Sequence, residues 1–317
     1  MPETPKIAIV MPLMNDWAPF QQLLADLDTQ LASSDAVVDV HVVDDFSIPP
    51  VVPDVVVSSI QAVYCTRLVR NVGHQRAIAI GLVHLHTHYD YSHVLVMDAD
   101  GEDCPADAVR LIAQSHSIPD TVIVAERKTR SEGLVFRVFY RLYKFGFRIL
   151  TGKVINFGNF CLIPQSALDG LVYHAGLWNH LASTIVVSRL PIHSIQTNRC
   201  QRYAGKSSMN FTALVIHGLS AMSIFLEHLA VRALITSLIG MVIGIIGLLV
   251  VIWIRVYTDL AIPGWATSAT GLLLLITGQT ILVILFITFT ILQQRATMQI
   301  IPKNDVLQFV ASHQQLT

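Results

Sequence analysis

Two long stretches without a charged residue constrain the fold of this 317-residue chain more than any other feature. One runs from Ala233 to Ile254, and the other lies between Ala261 and Arg295. Each is long enough for a helix that crosses about 30 Å of hydrocarbon. The alternative is a pair of fully buried core helices, but two such stretches joined by a short loop favour a transmembrane hairpin. We therefore expect an integral membrane protein.

The residues around these stretches predict which side of the membrane the rest of the chain occupies. The N-terminus lacks the basic, apolar and small-residue succession of a secretory signal, so we expect the preceding residues to stay in the cytoplasm. Arg232 and Arg295 flank the spans on this side, although Arg255 lies in the outer loop. The expected organisation, in a bacterial-type inner or plasma membrane, is a cytosolic domain (1–208), an interfacial juxtamembrane helix (209–231), two transmembrane helices (232–295) and a cytosolic tail (296–317).

Net charge and cysteine spacing argue against two kinds of site. The formal net charge of −1 gives no reason to expect a nucleic-acid partner. The cysteines are scattered and form no C-x-x-C pair, which excludes a zinc knuckle and suits a reducing compartment. They are Cys65, Cys104, Cys161 and Cys200.

Strands and helices alternate along the first part of the chain. Short apolar runs rich in valine and isoleucine predict strands, and longer segments with apolar residues on one face predict helices. Alternation of this kind is typical of a parallel, doubly wound sheet. The predicted strands are 6–11, 37–43, 61–67, 94–97 and 122–125, and the predicted helices are 17–32, 73–84 and 106–115.

Carboxylates follow two of the predicted strands. Asp44 and Asp45 follow the second strand, and Asp98, Asp100 and Glu102 follow the fourth, with Asp103 next to them. Ligands of open α/β sheets bind beyond the carboxyl ends of such strands. Acidic residues this close repel one another unless a cation lies among them, and carboxylate oxygens suit Mg²⁺ or Mn²⁺, which also bind substrate phosphates. The alternative is a solvated acidic turn.

A basic amphipathic helix is predicted at about 133–150. Its cationic side chains recur at helical spacing, and aromatic residues lie between them. Such a helix is typical of binding to a membrane surface. The alternative is an ordinary surface helix with a cationic face. The basic residues are Arg137, Arg141, Lys144 and Arg148.

Taken in order, several short motifs resemble the family 2 glycosyltransferases, and within them the polyprenyl-phosphate enzymes of the dolichol-phosphate-mannose-synthase type. Each motif is weak alone, but their order and spacing are specific, and the similarity covers nearly the whole chain. The motifs are Pro12-Leu-Met-Asn15-Asp16, Asp44-Asp45-Phe46-Ser47, Arg70-Asn71-Val-Gly73-His-Gln-Arg76-Ala77, Asp98-Ala-Asp100-Gly-Glu102-Asp103-Cys-Pro105, Arg127-Lys-Thr-Arg130, Phe139-Tyr140-Arg141-Leu142 and Arg202-Tyr-Ala-Gly205-Lys206-Ser207.

The resemblance implies a GT-A fold and a role for each matching residue. The catalytic residues would be Asp98, Asp100, Arg127 and Arg130. Those that bind the nucleotide sugar would be Pro12, Asn15, Asp16, Asp44, Asp45, Asn71, Gly73, Arg76 and Asp98. Mg²⁺ or Mn²⁺ would be bound by Asp98, Asp100 and Glu102. The acceptor and its phosphate would be bound by Arg127, Arg130, Arg141, Asn159, Arg202, Lys206 and Ser207, although the last two could also form an ordinary turn.

Three positions depart from the family pattern. Glu102 replaces the usual glutamine, Phe46 replaces a glycine, and Asn159 replaces an aspartate that is sometimes considered a base. A phosphate monoester is largely dianionic at neutral pH because its second pKa is about 6, so it needs little help from a base. Either catalysis needs no protein base, which we favour, or the Asn159 segment positions the acceptor. Asp45 and Asp103 remain alternatives as the base.

Histidines add two weaker expectations. His74, within the 71–77 turn, is a candidate for contacting phosphate. His84, His86 and His88 are interpreted as a solvated helix end, because no carboxylate or cysteine nearby completes a metal site.

The expected function is therefore a membrane-anchored, inverting hexosyltransferase of cell-envelope glycan biosynthesis. Its partners would be a nucleoside-diphosphate sugar, a polyprenyl phosphate of undecaprenyl or dolichyl type and the membrane, with a homo-oligomer left open. A processive polysaccharide synthase is an alternative, but Gln201-Arg202-Tyr203 does not match its Gln-x-x-Arg-Trp motif. A non-catalytic scaffold with a degenerate transferase domain is another. A dinucleotide oxidoreductase is disfavoured because no glycine-rich turn follows the first strand.

Overall fold

The computed structural model describes residues 5–49, 53–127, 146–149, 151–204, 211–258, 264–297 and 299–317. The chain divides into two units. The first contains the described residues of 1–143, 154–224 and 299–317, and the second contains those of 144–153 and 225–298.

An eight-stranded sheet, in the order β7-β5-β6-β4-β1-β2-β3-β8, forms the centre of the first unit. Strands β1 to β4 are parallel, because β1 pairs in parallel with both β2 and β4, and β2 pairs in parallel with β3. After their polar first residues, β1 and β4 are continuous apolar runs, which is typical of strands that are covered on both faces. The strands are β1 (Lys6–Leu13), β2 (Val37–Asp44), β3 (Ala62–Leu68), β4 (His93–Val96), β5 (Val122–Arg127), β6 (Phe157–Pro164), β7 (Ile192–Thr197) and β8 (Val310–Gln315).

Helices cover both faces of this sheet and produce two buried clusters of apolar side chains. One cluster contains residues of α2, α4 and α5, and the other contains residues of α1 and α3. Gly81 lets α2 approach the sheet, because a Cβ atom there would lie 2.8 Å from Val43 and 2.9 Å from Val10. The helices are α1 (Trp17–Leu31), α2 (His74–His88), α3 (Pro105–Ser115), α4 (Gln165–Leu171), α5 (Leu181–Val187) and α6 (Phe211–Ser223).

The sheet is mixed rather than parallel throughout. The strand β6 runs antiparallel to both of its neighbours, β4 and β5. The segment 296–317, expected to be a tail, contains the short helix α9 (Pro302–Asp305) and the strand β8, which pairs antiparallel with β3. The doubly wound core is thus as expected, and antiparallel strands extend it at both sides.

Two long helices, α7 (Leu226–Tyr257) and α8 (Trp265–Ala296), dominate the second unit. Both are long and apolar enough to cross a membrane. Only 11% of the most apolar window of α7, and none of that of α8, is buried, so they are not core helices. Gly244 lets them approach closely, because a Cβ atom there would lie 2.7 Å from Thr277 Oγ1.

The ends of these helices indicate an antiparallel hairpin. Glu227, in the first turn of α7, lies 3.5 Å from Arg295, in the last turn of α8. The predicted basic helix at 133–150 lies outside the described residues except for 146–149, which are helical. In this segment Phe147 packs edge-on against Phe225, with 5.5 Å between the ring centroids.

Candidate active site

The carboxyl ends of β1, β2 and β4 meet at one edge of the sheet, because these strands are parallel neighbours. The residues that follow them are those singled out by sequence. Asn15 and Asp16 follow β1, Asp45 follows β2, and Asp98 and Asp100 follow β4. The fold therefore brings together side chains that are up to 85 residues apart in the chain.

Asp44 and Asp45 fix the loops around the strand ends. Asp45 accepts hydrogen bonds from two successive backbone amides, those of Val72 (2.7 Å) and Gly73 (2.9 Å). Asp44 accepts from the backbone amide of Ser47 (2.8 Å). Burial raises the pKa of Asp45 by more than these hydrogen bonds lower it. Both carboxylates thus hold backbone in place beside the expected nucleotide site.

A small cavity of about 180 Å³ lies beside the same turn. Asn15 connects the turn to β1, because its backbone amide donates to Ser47 Oγ (2.8 Å) and its Oδ1 accepts from the amide of Ile48 (2.8 Å). Trp17 contributes a buried indole N–H that has no acceptor among the described residues. This combination of an apolar surface and a spare donor suits a nucleobase. The cavity is lined by Asn15, Trp17, Ile48, Pro49 and Pro53.

The acidic loop after β4 is held by hydrogen bonds between its own members and by arginines. Asp103 is buried, accepts from the backbone amide of Asp98 (3.0 Å) and pairs with Arg127 (3.2 Å). Asp100 accepts from the amide of Glu102 (2.9 Å). Burial and the adjacent Asp98 raise the pKa of Asp103. Arg127 thus stabilises this loop through Asp103.

Asp98 has one oxygen with the properties of a metal ligand. Its Oδ1 is buried and has no hydrogen-bond partner among the described residues, although His74 Nε2 lies 3.2 Å away. Burial raises the pKa of Asp98, but His74, Arg127 and Arg202 lower it by more. Burial lowers the pKa of His74, and Asp98 raises it by more. The carboxylate is therefore ionised and has an unused lone pair.

The arrangement of these residues fits a divalent cation that is bound by two protein carboxylates. Among the described residues, no three Asp, Glu, His or Cys side chains converge as a metal site. Glu102, expected to be a ligand, is paired with Arg199, whose Nε donates to it at 2.9 Å. Mg²⁺ and Mn²⁺ are commonly bound by one or two carboxylates with substrate phosphates completing the coordination. Asp98 and Asp100 are the two carboxylates available for this.

A short segment, residues 199–204, lies against the acidic loop. Arg202 bridges two carboxylates, those of Asp16 (2.8 Å) and Asp100 (3.3 Å). The Tyr203 backbone amide donates to the carbonyl of Asp100 (3.2 Å), and its hydroxyl donates to Asp26. Arg202 therefore brings a guanidinium to the place where a diphosphate would meet Asp100.

A disulfide between Cys104 and Cys200 joins this segment to the acidic loop. The cysteine spacing predicted reduced thiols, and the structure differs. The two residues are 96 positions apart, so their proximity follows from the tertiary fold and has no local signal. Cys65 and Cys161 are free and buried.

On the other side of Asp98, Asn159 is held in a network of side chains. Its Oδ1 accepts from Gln75 Nε2 (3.0 Å), and its Nδ2 lies 3.1 Å from His74 Nε2. Gln75 Oε1 in turn accepts from the backbone amide of Leu181 (3.0 Å). An amide in this position cannot accept a proton at neutral pH.

The remaining predicted site residues either make other contacts or lie outside the described residues. Arg76 stacks over Trp178, with its guanidinium 5.2 Å from the ring centre, and Asn71 Nδ2 contacts Met14 Sδ at 2.7 Å. Pro12 is buried within β1. The residues outside the described part are Arg130, Arg141, Lys206 and Ser207. Sequence reasoning missed Gln75, Arg199 and Tyr203 as parts of the site, because their contacts are all long-range.

The chain matches the sequence profile of a known family. The profile of glycosyl transferase family 2 matches residues 8–169, slightly more than half of the chain. The matched region includes β1 to β6 and therefore the strand ends described above. No curated protein matches the chain.

Two solved structures are similar to this chain. One is glucosyl-3-phosphoglycerate synthase from Mycobacterium tuberculosis, in complex with Mn²⁺, UDP-glucose and phosphoglyceric acid. It is 13% identical, with 71% of this chain and 80% of that chain covered and a TM-score of 0.50. Another is mannosyl-3-phosphoglycerate synthase from Rubrobacter xylanophilus. It is 12% identical, with 71% of this chain and 74% of that chain covered and a TM-score of 0.47. Together with the family match, the first confirms the expected GT-A-type fold.

Proposed function

The chain belongs to glycosyl transferase family 2, and from this premise we propose that it transfers a sugar from a nucleoside-diphosphate sugar to a polyprenyl phosphate, with inversion at the anomeric carbon. One observation carries the proposal: the strand-end carboxylates and arginines of the first unit occur in a chain that also contains an exposed, apolar helix pair. The carboxylates and arginines suit a nucleotide sugar, and the helices suit a lipid.

The donor would bind across the carboxyl ends of β1, β2 and β4. The cavity beside Asn15 and Trp17 suits the base, and the loops held by Asp44 and Asp45 suit the ribose. The diphosphate would lie by Asp98 and Asp100. This order places the nucleotide along the sheet edge where ligands of α/β folds bind.

Positive charge at the diphosphate would come from two sources. Bound by Asp98, Asp100 and the diphosphate, Mg²⁺ or Mn²⁺ supplies charge that stabilises the leaving nucleoside diphosphate. Arg202 is paired with Asp16 and Asp100 in the structure. When the donor binds, its guanidinium would pair with the diphosphate instead. Planar guanidinium groups bind such oxygens through two hydrogen bonds. Arg130, Lys206 and Ser207 would add phosphate contacts.

An anionic acceptor explains the chemistry around Asn159. A phosphate monoester is mostly dianionic at neutral pH, since its second pKa is about 6, and it can attack without a general base. The side chains that flank Asp98 on this side are His74 and Asn159, and His74 is already beside a carboxylate. Attack from the face opposite the diphosphate inverts the anomeric carbon.

Chain connectivity supports a membrane anchor with the catalytic unit on one side. Residues before α7 and after α8 belong to the same sheet, because β8 pairs with β3. Two membrane spans return the chain to the side on which it started, whereas a single span would leave β3 and β8 on opposite sides. We therefore propose that α7 and α8 are transmembrane helices, that α6 lies at the interface, and that the catalytic unit lies on the side of Arg232 and Arg295, which the distribution of positive charge predicts to be cytoplasmic.

A donor screen tests the proposed reaction. The full chain, in detergent or vesicles with Mn²⁺, is incubated with radiolabelled nucleotide sugars and a short polyprenyl phosphate, and the lipid is extracted. We expect labelled lipid with one donor. A parallel incubation with 3-phosphoglycerate covers a soluble phosphate acceptor, and product there with none in the lipid would overturn the lipid assignment.

The variant Asp100→Ala tests the role of the acidic loop in the same assay. We expect transfer to fall at least about 100-fold, as for loss of a metal ligand, while the melting temperature stays near that of the wild type. The matched control is Asp90→Ala, an exposed carboxylate before β4. Normal transfer by Asp100→Ala would contradict the metal role.

A further inference from the structure

Residues 199–204 form a strap that pairs with the acidic loop through its backbone. The amide of Cys200 donates to the carbonyl of Glu102 (3.0 Å), and the amide of Tyr203 donates to the carbonyl of Asp100 (3.2 Å). These two bonds hold the strap along the loop that carries the proposed metal ligands.

The strap carries the positive charge that is proposed for the donor diphosphate. Arg202 lies 2.8 Å from Asp16 and 3.3 Å from Asp100, and all three side chains are partly open to solvent. Ion pairs of this kind are weak, because water and salt screen them. The position of Arg202 therefore depends on the bonds that fix the strap itself.

One of these bonds is covalent. The disulfide joins Cys200 of the strap to Cys104, which directly precedes α3. Cys104 is buried, and α3 packs into the apolar core through side chains such as Leu111. Cys200, in contrast, is an exposed residue. The bond thus ties the strap to the core at a point that reagents in solution can reach.

The proposed location of the catalytic unit makes this bond reversible. Disulfides are rare in the cytoplasm, where glutathione and thioredoxin keep thiols reduced, and those that form there are usually transient, catalytic or redox-sensing. The free thiols of Cys65 and Cys161 are buried. A disulfide with an exposed residue beside a substrate site therefore has the properties of a switch.

We propose that the disulfide between Cys104 and Cys200 is a thiol-sensitive switch of donor binding. When it is closed, the strap holds Arg202 where the diphosphate binds. When a dithiol opens it, only the backbone bonds and screened ion pairs hold the strap, and Arg202 is no longer fixed at the site. The inference rests on the proposed function, because it assumes that the donor diphosphate binds at the acidic loop.

Opening of the switch is a thiol–disulfide exchange. The thiolate of a dithiol, such as dithiothreitol or a thioredoxin-type protein, attacks Cys200 Sγ. The S–S bond breaks, and Cys104 Sγ leaves with the electron pair and takes up a proton. The second thiol of the reagent then displaces Cys200, which also takes up a proton, and the reagent leaves as its own disulfide. Two electrons have passed to the protein, and oxidised glutathione reverses the exchange.

Hydrogen exchange tests the effect on the strap. The full chain in detergent is prepared without reductant and after treatment with dithiothreitol, and thiols are counted by alkylation and mass spectrometry. We expect two free thiols before treatment and four after it. Amides that only weak local contacts protect open easily, so exchange at residues 199–203 should become at least about tenfold faster in the reduced protein.

Binding of a diphosphate tests the effect on the site. The probe is inorganic pyrophosphate with Mg²⁺, which resembles the diphosphate of the donor whatever its base. In calorimetric titration we expect the dissociation constant to rise about tenfold on reduction, as for the loss of a hydrogen bond between charged groups.

Three variants identify the groups responsible. Cys200→Ala should bind pyrophosphate as weakly as the reduced wild type, with or without dithiothreitol. Arg202→Gln should bind weakly and equally in both redox states, because the switch acts through this guanidinium. The matched control is Cys65→Ala, which removes a buried free thiol and should keep the full redox dependence. If Cys200→Ala does not fold, the two redox states of the wild type still decide the question.

The outcomes separate the inference from the function on which it rests. Four free thiols in the untreated protein, or equal pyrophosphate binding by the oxidised and reduced wild type, would overturn the switch alone. Failure of both forms to bind pyrophosphate with Mg²⁺ would overturn the placement of the donor at the acidic loop and the inference together.

Discussion

Gly101 shows how closely the acidic loop is covered. Its φ angle is +85°, a conformation that favours glycine, and a Cβ atom at this position would lie 2.1 Å from the ring of Tyr203. Any side chain here must therefore move either the loop that carries Asp98 and Asp100 or the segment that carries Arg202.

The variant Gly101→Ala is expected to separate these two segments. We predict a loss of transfer activity of at least about tenfold and an unfolding free energy lower by about 1–3 kcal/mol, because the substitution adds both backbone strain and overlap with Tyr203. The measurements are transfer kinetics and chemical unfolding of the full chain. The matched control is Gly170→Ala in α4, where a Cβ atom meets no atom within 4 Å and no change in activity is expected. Equal behaviour of the two variants would contradict the close packing of Tyr203 on the loop.

At the scale of single residues, sequence identified the strand-end carboxylates but not their partners. Asp98 and Asp100 stand out because they follow an apolar run that is typical of a strand. Gln75 and Asn159 are 84 positions apart, and only the fold brings their amides together. Glu102 was predicted as a metal ligand, and its pairing with Arg199 from a distant loop could not be predicted from the sequence.

Among the elements, β8 is held to the sheet by a cluster of aromatic rings that includes several histidines. His313 of β8 accepts or donates hydrogen bonds with Tyr89 (2.6 Å) and Thr66 (2.8 Å). Its ring lies 4.5 Å from that of His84 on α2 and 6.3 Å from that of His41 on β2. His84 was interpreted as part of a solvated helix end, but it is buried because β8 covers it.

These histidines favour their neutral forms. Burial lowers the pKa of His41 to about 3 and that of His84 to about 4. The positive charge of a protonated His313 is the second-largest cause of both shifts. Burial and His88 lower the pKa of His313 as well. Each folded-state pKa lies below the unfolded value of about 6.5, so the unfolded chain takes up protons first as pH falls. Their contribution to stability is therefore complete above about pH 6.5 and is lost as the pH falls towards the folded values.

We predict that mild acid releases β8. Between about pH 7 and pH 5, His84 alone should cost about 2 kcal/mol of stability, calculated from its two pKa values. Hydrogen exchange at residues 310–315 and 62–68 measures the opening. His84→Phe removes the titrating group while keeping a ring, and it should flatten the pH dependence. His116→Phe, at an exposed position, is the control, and an equal effect of the two variants would contradict the prediction.

The strands with the strongest apolar pattern were the ones best predicted from the sequence. The strands β1 and β4 are continuous apolar runs after a polar first residue, and β2 is rich in valine. The bounds of all three were predicted within a few residues. β8 has the sequence Val-Ala-Ser-His-Gln-Gln, which is too polar to indicate a strand, and it is stabilised by pairing with β3 rather than by its own composition. The disulfide between Cys104 and Cys200 is equally a product of tertiary contact.

For the whole molecule, the proposed topology places both flanks of the hairpin on one side of the membrane. Single cysteines at Asp90 and Gln308, which are both exposed, should react with a membrane-impermeant maleimide from the same side of a vesicle. A cysteine at Tyr257, which is 75% exposed at the end of α7, should react only from the other side. The native thiols interfere little, because Cys65 and Cys161 are buried. Labelling of all three positions from one side would contradict the two spans.

The position of β8 in the sequence has a consequence for biosynthesis. The ribosome makes both apolar helices before it makes β8, and β8 completes the edge of a sheet whose other strands were made before those helices. A nascent chain therefore presents β3 as an unpaired edge until synthesis has passed the hairpin, and unpaired edges invite aggregation. In the proposed topology, the sheet can therefore be completed only after the hairpin has been inserted into the membrane, and a chain stalled at insertion would be left with an unfinished sheet.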